Sequence, residues 1–212
     1  MRRYSAIARF LGLFMLVYGG LVAPWPSWNA LYASYFRHLC GLFLAHENAD
    51  SIVRFRAAPA AAALDMQIVL IDPHRVDAHG RAKGRVLGLD SRGVGWIPTA
   101  FLVALILATW VPWKRRLSAF GLGLLVIHLY LLLAVRVYIW NQSMPERAVG
   151  TLSSPLKWVA AGLEETMITQ LGPSFVVPAV IWILVTFRTE DLDAASGGLG
   201  IRRDPSARSE SD

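Results

Sequence analysis

The chain has 212 residues, with 21 Lys and Arg against 15 Asp and Glu, so its formal net charge is +6. It is 55% hydrophobic and 17% charged, whereas a soluble domain has about 45–50% apolar and about 25% charged residues. The apolar excess is concentrated in blocks flanked by basic residues, which is typical of membrane spans and argues against a nucleic-acid partner. The single cysteine excludes an intrachain disulfide.

Four apolar blocks predict an all-α membrane protein with about four transmembrane helices, a small outer β segment and interfacial amphipathic helices. Residues 1–28 contain the first span, which we expect to stay uncleaved because no small-residue cleavage site follows it. Residues 94–140 form a helical hairpin whose tight turn is basic, and residues 173–188 form the last span.

The basic clusters predict the orientation of these spans. Arg2 and Arg3, the run 114–116, and Arg188 fall on one side if the span count is four. The positive-inside rule then places both termini in the cytoplasm. Segments 29–93 and 141–172 would lie outside, as expected for a multi-pass protein of the bacterial inner membrane with lipids as its immediate partners.

The first outer segment predicts a helix followed by short strands. Residues 29–45 place their apolar side chains on one arc, which favours a helix lying on the membrane surface. Cys40 sits at the edge of that arc, and a packed, inert thiol is favoured over a nucleophile because His38 faces the other side. Period-two alternation then predicts a three-stranded antiparallel sheet over 51–57, 64–72 and 84–91.

The other polar residues outside the predicted spans give weaker signals. Asp72, His74, Asp77 and His79 are suitable metal ligands, but their spacing matches no standard site, so neither a metal nor another cofactor is expected. The segment 141–172 contains an amphipathic helix with Glu164 and Glu165. Residues 189–212 are rich in Gly, Ser, Asp and Arg, which predicts a disordered cytoplasmic tail.

Two ionisable residues interrupt the apolar block "GLGLLVIHLYLLLAVRVYIW" at 121–140. His128 lies twelve residues from Arg116 and twelve from Trp140, which is about 18 Å from each at 1.5 Å per residue. It is either a neutral imidazole hydrogen-bonded to a neighbouring helix or a group with a chemical role. Arg136 lies about one turn from the outer end, where it either snorkels to the interface or acts in function.

The segment 84–140 contains a Gly followed by an apolar run, then Trp-Lys-Arg-Arg, Gly-x-Gly, a second apolar run and an Arg. In this pattern it resembles the exosortase/archaeosortase family of membrane-embedded sorting peptidases. The resemblance implies a Cys nucleophile before the first span of the hairpin, an Arg at the outer end of the second span, and a His near a later span. Only the Arg is matched, as Arg136, while Ser91 stands where the Cys is expected.

The later region offers Glu165 and its neighbours without any His. The resemblance therefore implies a non-catalytic accessory protein of an exosortase-type sorting system, associated with the enzyme or with its substrate's membrane tail. Ser91, Arg136, His128 and Glu165 are the candidate vestigial or partner-binding residues. One alternative is a divergent peptidase that uses Ser91 or Cys40 with Arg136. The other is a small transporter subunit with His128 as a proton relay.

Overall fold

The computed structural model describes residues 2–23, 25–47, 52–59, 62, 64–76, 82–143 and 173–187. A π-helix joins the sheet to the third helix at Arg92–Trp96. The α-helices are α1 (Arg2–Val22), α2 (Pro26–Leu44), α3 (Ile97–Ala108), α4 (Trp113–Ser143) and α5 (Pro173–Thr186), and the strands are β1 (His46–Glu47), β2 (Ile52–Ala57), β3 (Met66–Val76) and β4 (Ala82–Leu89).

The four strands form one antiparallel sheet in the order β1-β2-β3-β4. The three predicted strands are present, and β1 adds two residues at the edge. The register places Phe55 opposite Ile68 and Ile68 opposite Leu87. Ile68 and Leu87 are buried and Phe55 is half-buried, so this face of the sheet points into the core.

Helix α2 covers that face of the sheet. Tyr32, Phe36, Cys40 and Leu44 are spaced four residues apart and are all buried in one cluster with the strands. The predicted membrane-facing arc is therefore divided between two faces. Tyr32 and Phe36 pack into the core, whereas other large apolar residues of the helix remain exposed: Leu31, Tyr35, Leu42 and Phe43.

The remaining helices pack around α3. Phe14 of α1 is buried and meets Phe101 of α3 edge to face, with 5.4 Å between ring centroids. Helix α4 approaches α3 closely at Gly123, where an added Cβ would lie 3.1 Å from the Ile106 side chain and 3.7 Å from Val185 of α5. A small residue at this position therefore allows α3, α4 and α5 to meet.

The structure contradicts the predicted four-span, all-α membrane fold. Among the described residues, only Trp113–Trp140 is long and apolar enough to cross a bilayer by itself. The number rises to two only if Ile7–Val22 and Ser27–Leu44, which meet at 80°, count as one broken span. Together with the four-stranded sheet, these helices form a mixed arrangement of α and β structure.

Breaks in the helix explain why the continuous α-helix within residues 94–113 is shorter than the predicted span. Its first residues belong to the π-helix, and its α-helix ends at Ala108 because Thr109 is extended, with φ −78° and ψ 133°. Pro112 then cannot continue the helix. Residues 92–108 rise about 25 Å at 1.5 Å each, and the 14 residues of α5 rise about 21 Å, against an apolar bilayer core of about 30 Å.

Two predicted elements lie outside the described residues. They are the outer helix with Glu164 and Glu165, and the tail at 189–212. Helix α4 itself extends beyond the predicted hairpin, to Ser143.

Candidate functional site

Ser91 lies at the end of the sheet, where β4 passes into the π-helix. Its backbone N–H donates to Asp65 Oδ1 at 2.8 Å, and its Oγ donates to Asp65 Oδ2. The register explains the contact, because Met66 pairs with Leu89 and the residues just beyond that pair meet at the same end of the sheet. Ser91 is 1% exposed, so its hydroxyl is committed to a carboxylate inside the protein.

Asp90 fixes the start of the π-helix. Its carboxylate accepts the backbone N–H groups of Arg92 and Gly93, both at 3.1 Å. The π-helix in turn holds the end of α1, since the Arg92 guanidinium donates to the Val22 carbonyl at 2.8 Å. The Trp96 indole also donates to the Leu21 carbonyl at 2.9 Å. The last carbonyls of a helix have no partner within it, so these two donors stabilise the end of α1.

Tyr32 packs over the π-helix from α2. Its ring centroid lies 5.2 Å from that of Trp96, and its hydroxyl lies 2.6 Å from the place a Cβ on Gly95 would take. The hydroxyl is buried without a hydrogen bond of good geometry to any described residue, and Thr99 donates to the Gly95 carbonyl at 2.8 Å. Burial raises the Tyr32 pKa, and the nearby Thr99 hydroxyl offsets only part of that rise.

Cys40 is fully buried against the sheet. Burial raises the pKa of its thiol from 9.0 to about 12, because the thiolate would lose its solvation. The thiolate is the nucleophilic form, so at neutral pH this side chain behaves as a small apolar group.

His128 is half-buried on α4 and satisfies one ring nitrogen within its own helix. Nδ1 lies 2.7 Å from the Leu124 carbonyl, to which only an N–H can donate. Nε2 then carries no proton in the neutral ring. The neighbouring helix supplies a ring contact rather than a hydrogen bond, since Tyr35 of α2 meets the imidazole edge to face at 5.8 Å.

Arg136 is exposed on α4, eight residues after His128. Among the residues that the structure describes, it has neither a hydrogen-bond acceptor nor an ion-pair partner. Its predicted partner Glu165 lies outside those residues. Near the same end of α4, Arg85 of β4 donates to the Gln142 carbonyl at 3.1 Å and joins the sheet to the helix.

These candidate residues occupy three separate places. Within the described ranges, no hydrogen bond or ring contact joins Ser91, His128 and Arg136 to one another. No group of three His, Cys, Asp or Glu residues with metal-binding geometry occurs there either. Asp77 and His79 of the connecting loop lie outside those ranges.

Asp65 is a site residue that the sequence alone does not single out. The alternation over 64–72 assigns it only a place in a strand, whereas its carboxylate accepts two hydrogen bonds from Ser91. Correct pairing of the strand ends at 66 and 89 would have brought it opposite Asp90 and Ser91. No family model matches the chain, and neither the curated proteins nor the solved structures contain a significant match.

Proposed function

We propose that this chain is a membrane-anchored, non-catalytic accessory protein of an exosortase-type protein-sorting system. The observation that carries the proposal is the contrast between Ser91 and Arg136. Ser91, at the expected nucleophile position, is buried and donates its hydroxyl to the Asp65 carboxylate. Arg136, at the position where the family has its Arg, is exposed. An exposed guanidinium without a described partner suits recognition of another molecule's carboxylate.

Membrane attachment is supported by the surface of α4. Only 39% of its most apolar stretch is buried in the protein, whereas the core helix of a water-surrounded domain is mostly covered. Five of the uncovered side chains share one face of the helix and form an apolar stripe, which water would solvate poorly. Its members are Leu122, Leu125, Val126, Leu129 and Leu133.

Aromatic residues flank that stripe. Trp110 and Trp113 are 74% and 67% exposed at its start, and Trp140 is 39% exposed at its end. Indole rings favour the two membrane–water interfaces. Lys114 is exposed beside Trp113, as the positive-inside rule requires of the cytoplasmic end. Arg136 then lies near the opposite interface, where a sorting enzyme would meet its substrate.

A divergent serine or cysteine peptidase is the less favoured function. Ser91 needs a base that would take its proton and release it again, and Asp65 already accepts both its N–H and its hydroxyl. Cys40 is sealed beneath the sheet with a raised pKa. Either residue would require a rearrangement of the core to reach a peptide.

The test replaces Arg136 in the full chain and measures co-purification with the sorting enzyme and processing of a tailed substrate. Arg136→Lys keeps the charge but loses the planar two-point hydrogen bonding to a carboxylate. We expect it to impair both readouts while membrane insertion and abundance stay unchanged, and Arg136→Leu to impair them more. Wild-type behaviour of Arg136→Lys would reduce the residue to an interfacial anchor and contradict the proposed recognition.

Lys114→Gln is the matched control. This exposed cation lies at the other end of α4, so its loss removes one positive charge without touching the proposed contact. Equal impairment by Lys114→Gln and Arg136→Lys would show a general effect on the helix rather than recognition at Arg136.

A further inference from the structure

We propose that the junction of α3, α4 and α5 binds the phosphate of an anionic phospholipid headgroup, with Arg116 and Thr186 as its ligands. The junction lies at the N-terminal end of α4, away from Arg136. The inference goes beyond the proposed function but rests on the membrane placement of α4.

Arg116 is only partly used by the protein. One Nη donates to the Thr109 carbonyl at 2.9 Å, and the guanidinium lies 5.8 Å from the Trp113 ring centroid. Its Nε is buried and has no acceptor in the part of the chain that the structure describes. A guanidinium presents its donors in a planar fork that matches two phosphate oxygens, so an unused donor beside Nη favours an oxyanion ligand.

Thr186 supplies an independent observation at the same junction. It is 1% exposed, and its hydroxyl is buried without a hydrogen-bond partner among the described residues. A buried hydroxyl without a partner costs about 1–3 kcal/mol, so its burial needs an explanation. An incoming phosphate oxygen would accept from it.

The contacts between helices join the two segments that carry these residues. Trp182, one turn before Thr186 on α5, donates its indole N–H to Thr109 Oγ1 at 2.8 Å. Arg116 reaches the carbonyl of that same Thr109. Thr109 thus links α3 to both neighbours, at the point where its own helix ends in an extended residue.

The surroundings favour a lipid over a soluble phosphate. Leu117, next to Arg116, is 61% exposed, and Leu184, two residues before Thr186, is 74% exposed. A headgroup at the junction would therefore continue into acyl chains lying on uncovered apolar surface. Basic pockets between helices on the cytoplasmic side of a membrane are suited to anionic headgroups.

The test measures lipid retention by the purified full chain in detergent, using native mass spectrometry with phosphatidylglycerol and phosphatidylcholine. We expect the wild type to retain phosphatidylglycerol preferentially. Arg116→Gln should lower that retention about tenfold, because a charge-assisted contact is lost. Lys114→Gln removes the same charge from an exposed neighbour and should lower it far less. Equal losses in the two variants would overturn the proposal in favour of diffuse attraction.

Thr186→Val tests the hydroxyl at nearly constant volume, with Thr99→Val as its control, since Thr99 of α3 already donates to the Gly95 carbonyl. We expect weaker phosphatidylglycerol retention for Thr186→Val alone, and unchanged retention would overturn the role of Thr186. Displacement of the lipid by excess inorganic phosphate would assign the site to a soluble anion and overturn the assignment to a lipid headgroup.

Carbonate extraction of the wild type distinguishes failure of the proposed function from failure of this inference. A chain that carbonate extracts from the membrane contradicts the proposed function, whereas an inserted chain without lipid preference contradicts this inference alone.

Discussion

Replacing Ser91 with Ala separates a structural hydroxyl from a catalytic one. The substitution removes the Oγ donor to Asp65 and leaves the backbone N–H bond of 2.8 Å in place. A buried hydrogen bond to a charged group contributes about 1.5–3 kcal/mol. We therefore expect the free energy of unfolding to fall by about 2 kcal/mol, which corresponds to a Tm lower by roughly 4–8 °C for a chain of this size.

Asp65→Ala removes the acceptor of the Ser91 hydrogen bonds instead of one donor. It leaves both the Ser91 N–H and the Ser91 hydroxyl without an acceptor, so we expect a larger loss, about 2–5 kcal/mol. The double variant should be little worse than Asp65→Ala alone, since the two residues share one interaction. Ser118→Ala, at an exposed position of α4, is the matched control and should leave the Tm unchanged.

The assay is thermal unfolding of each purified variant in detergent, with substrate processing measured at equal amounts of folded protein. At equal amounts of folded protein, we expect each variant to support as much substrate processing as the wild type. A normal Tm for Ser91→Ala together with abolished processing would refute the structural role and favour the peptidase.

Three further predictions follow from the same geometry. Cys40 should resist alkylation at pH 8 in the folded protein and react after unfolding, because a pKa of about 12 instead of 9.0 lowers its thiolate fraction about a thousandfold; rapid labelling of the folded chain would contradict its burial. Gly95→Ala should lower the free energy of unfolding by about 1–3 kcal/mol, because the added methyl group would contact the Tyr32 hydroxyl. Gly41→Ala meets open space and should stabilise α2 by up to about 1 kcal/mol. Equal Tm values for these two variants would contradict the crowding at Gly95. Reporters fused after Arg116 and after Gln142 should lie on opposite sides of the membrane, and the same side for both would show that α4 does not span.

The sequence predicted the sheet better than it predicted the helices. Alternation along 51–57, 64–72 and 84–91 reports directly on a half-buried strand, and all three strands are present. An apolar run reports only that a segment avoids water. The run at 94–113 therefore gave no sign of the π-helix, or of the break at Thr109, which depends on backbone conformation and on Pro112.

Residues of the candidate sites were recognised by type but not by partner. Cys40 was correctly interpreted as packed, because its own helix offered no activating neighbour. The contact of Ser91 with Asp65 spans 26 residues, and that of Tyr35 with His128 joins two helices far apart in the chain. Both depend on tertiary packing, which periodicity within one segment does not encode.

We propose that the chain supports protein sorting without performing its chemistry. The most direct measurement is substrate processing in cells that contain the sorting enzyme but lack this chain, complemented with a Cys40→Ala, Ser91→Ala double variant at wild-type abundance. We expect processing to be restored to the wild-type level, while the Arg136→Leu variant at equal abundance fails to restore it. Loss of processing in the double variant with normal insertion, or full restoration by Arg136→Leu, would contradict a non-catalytic role that depends on Arg136.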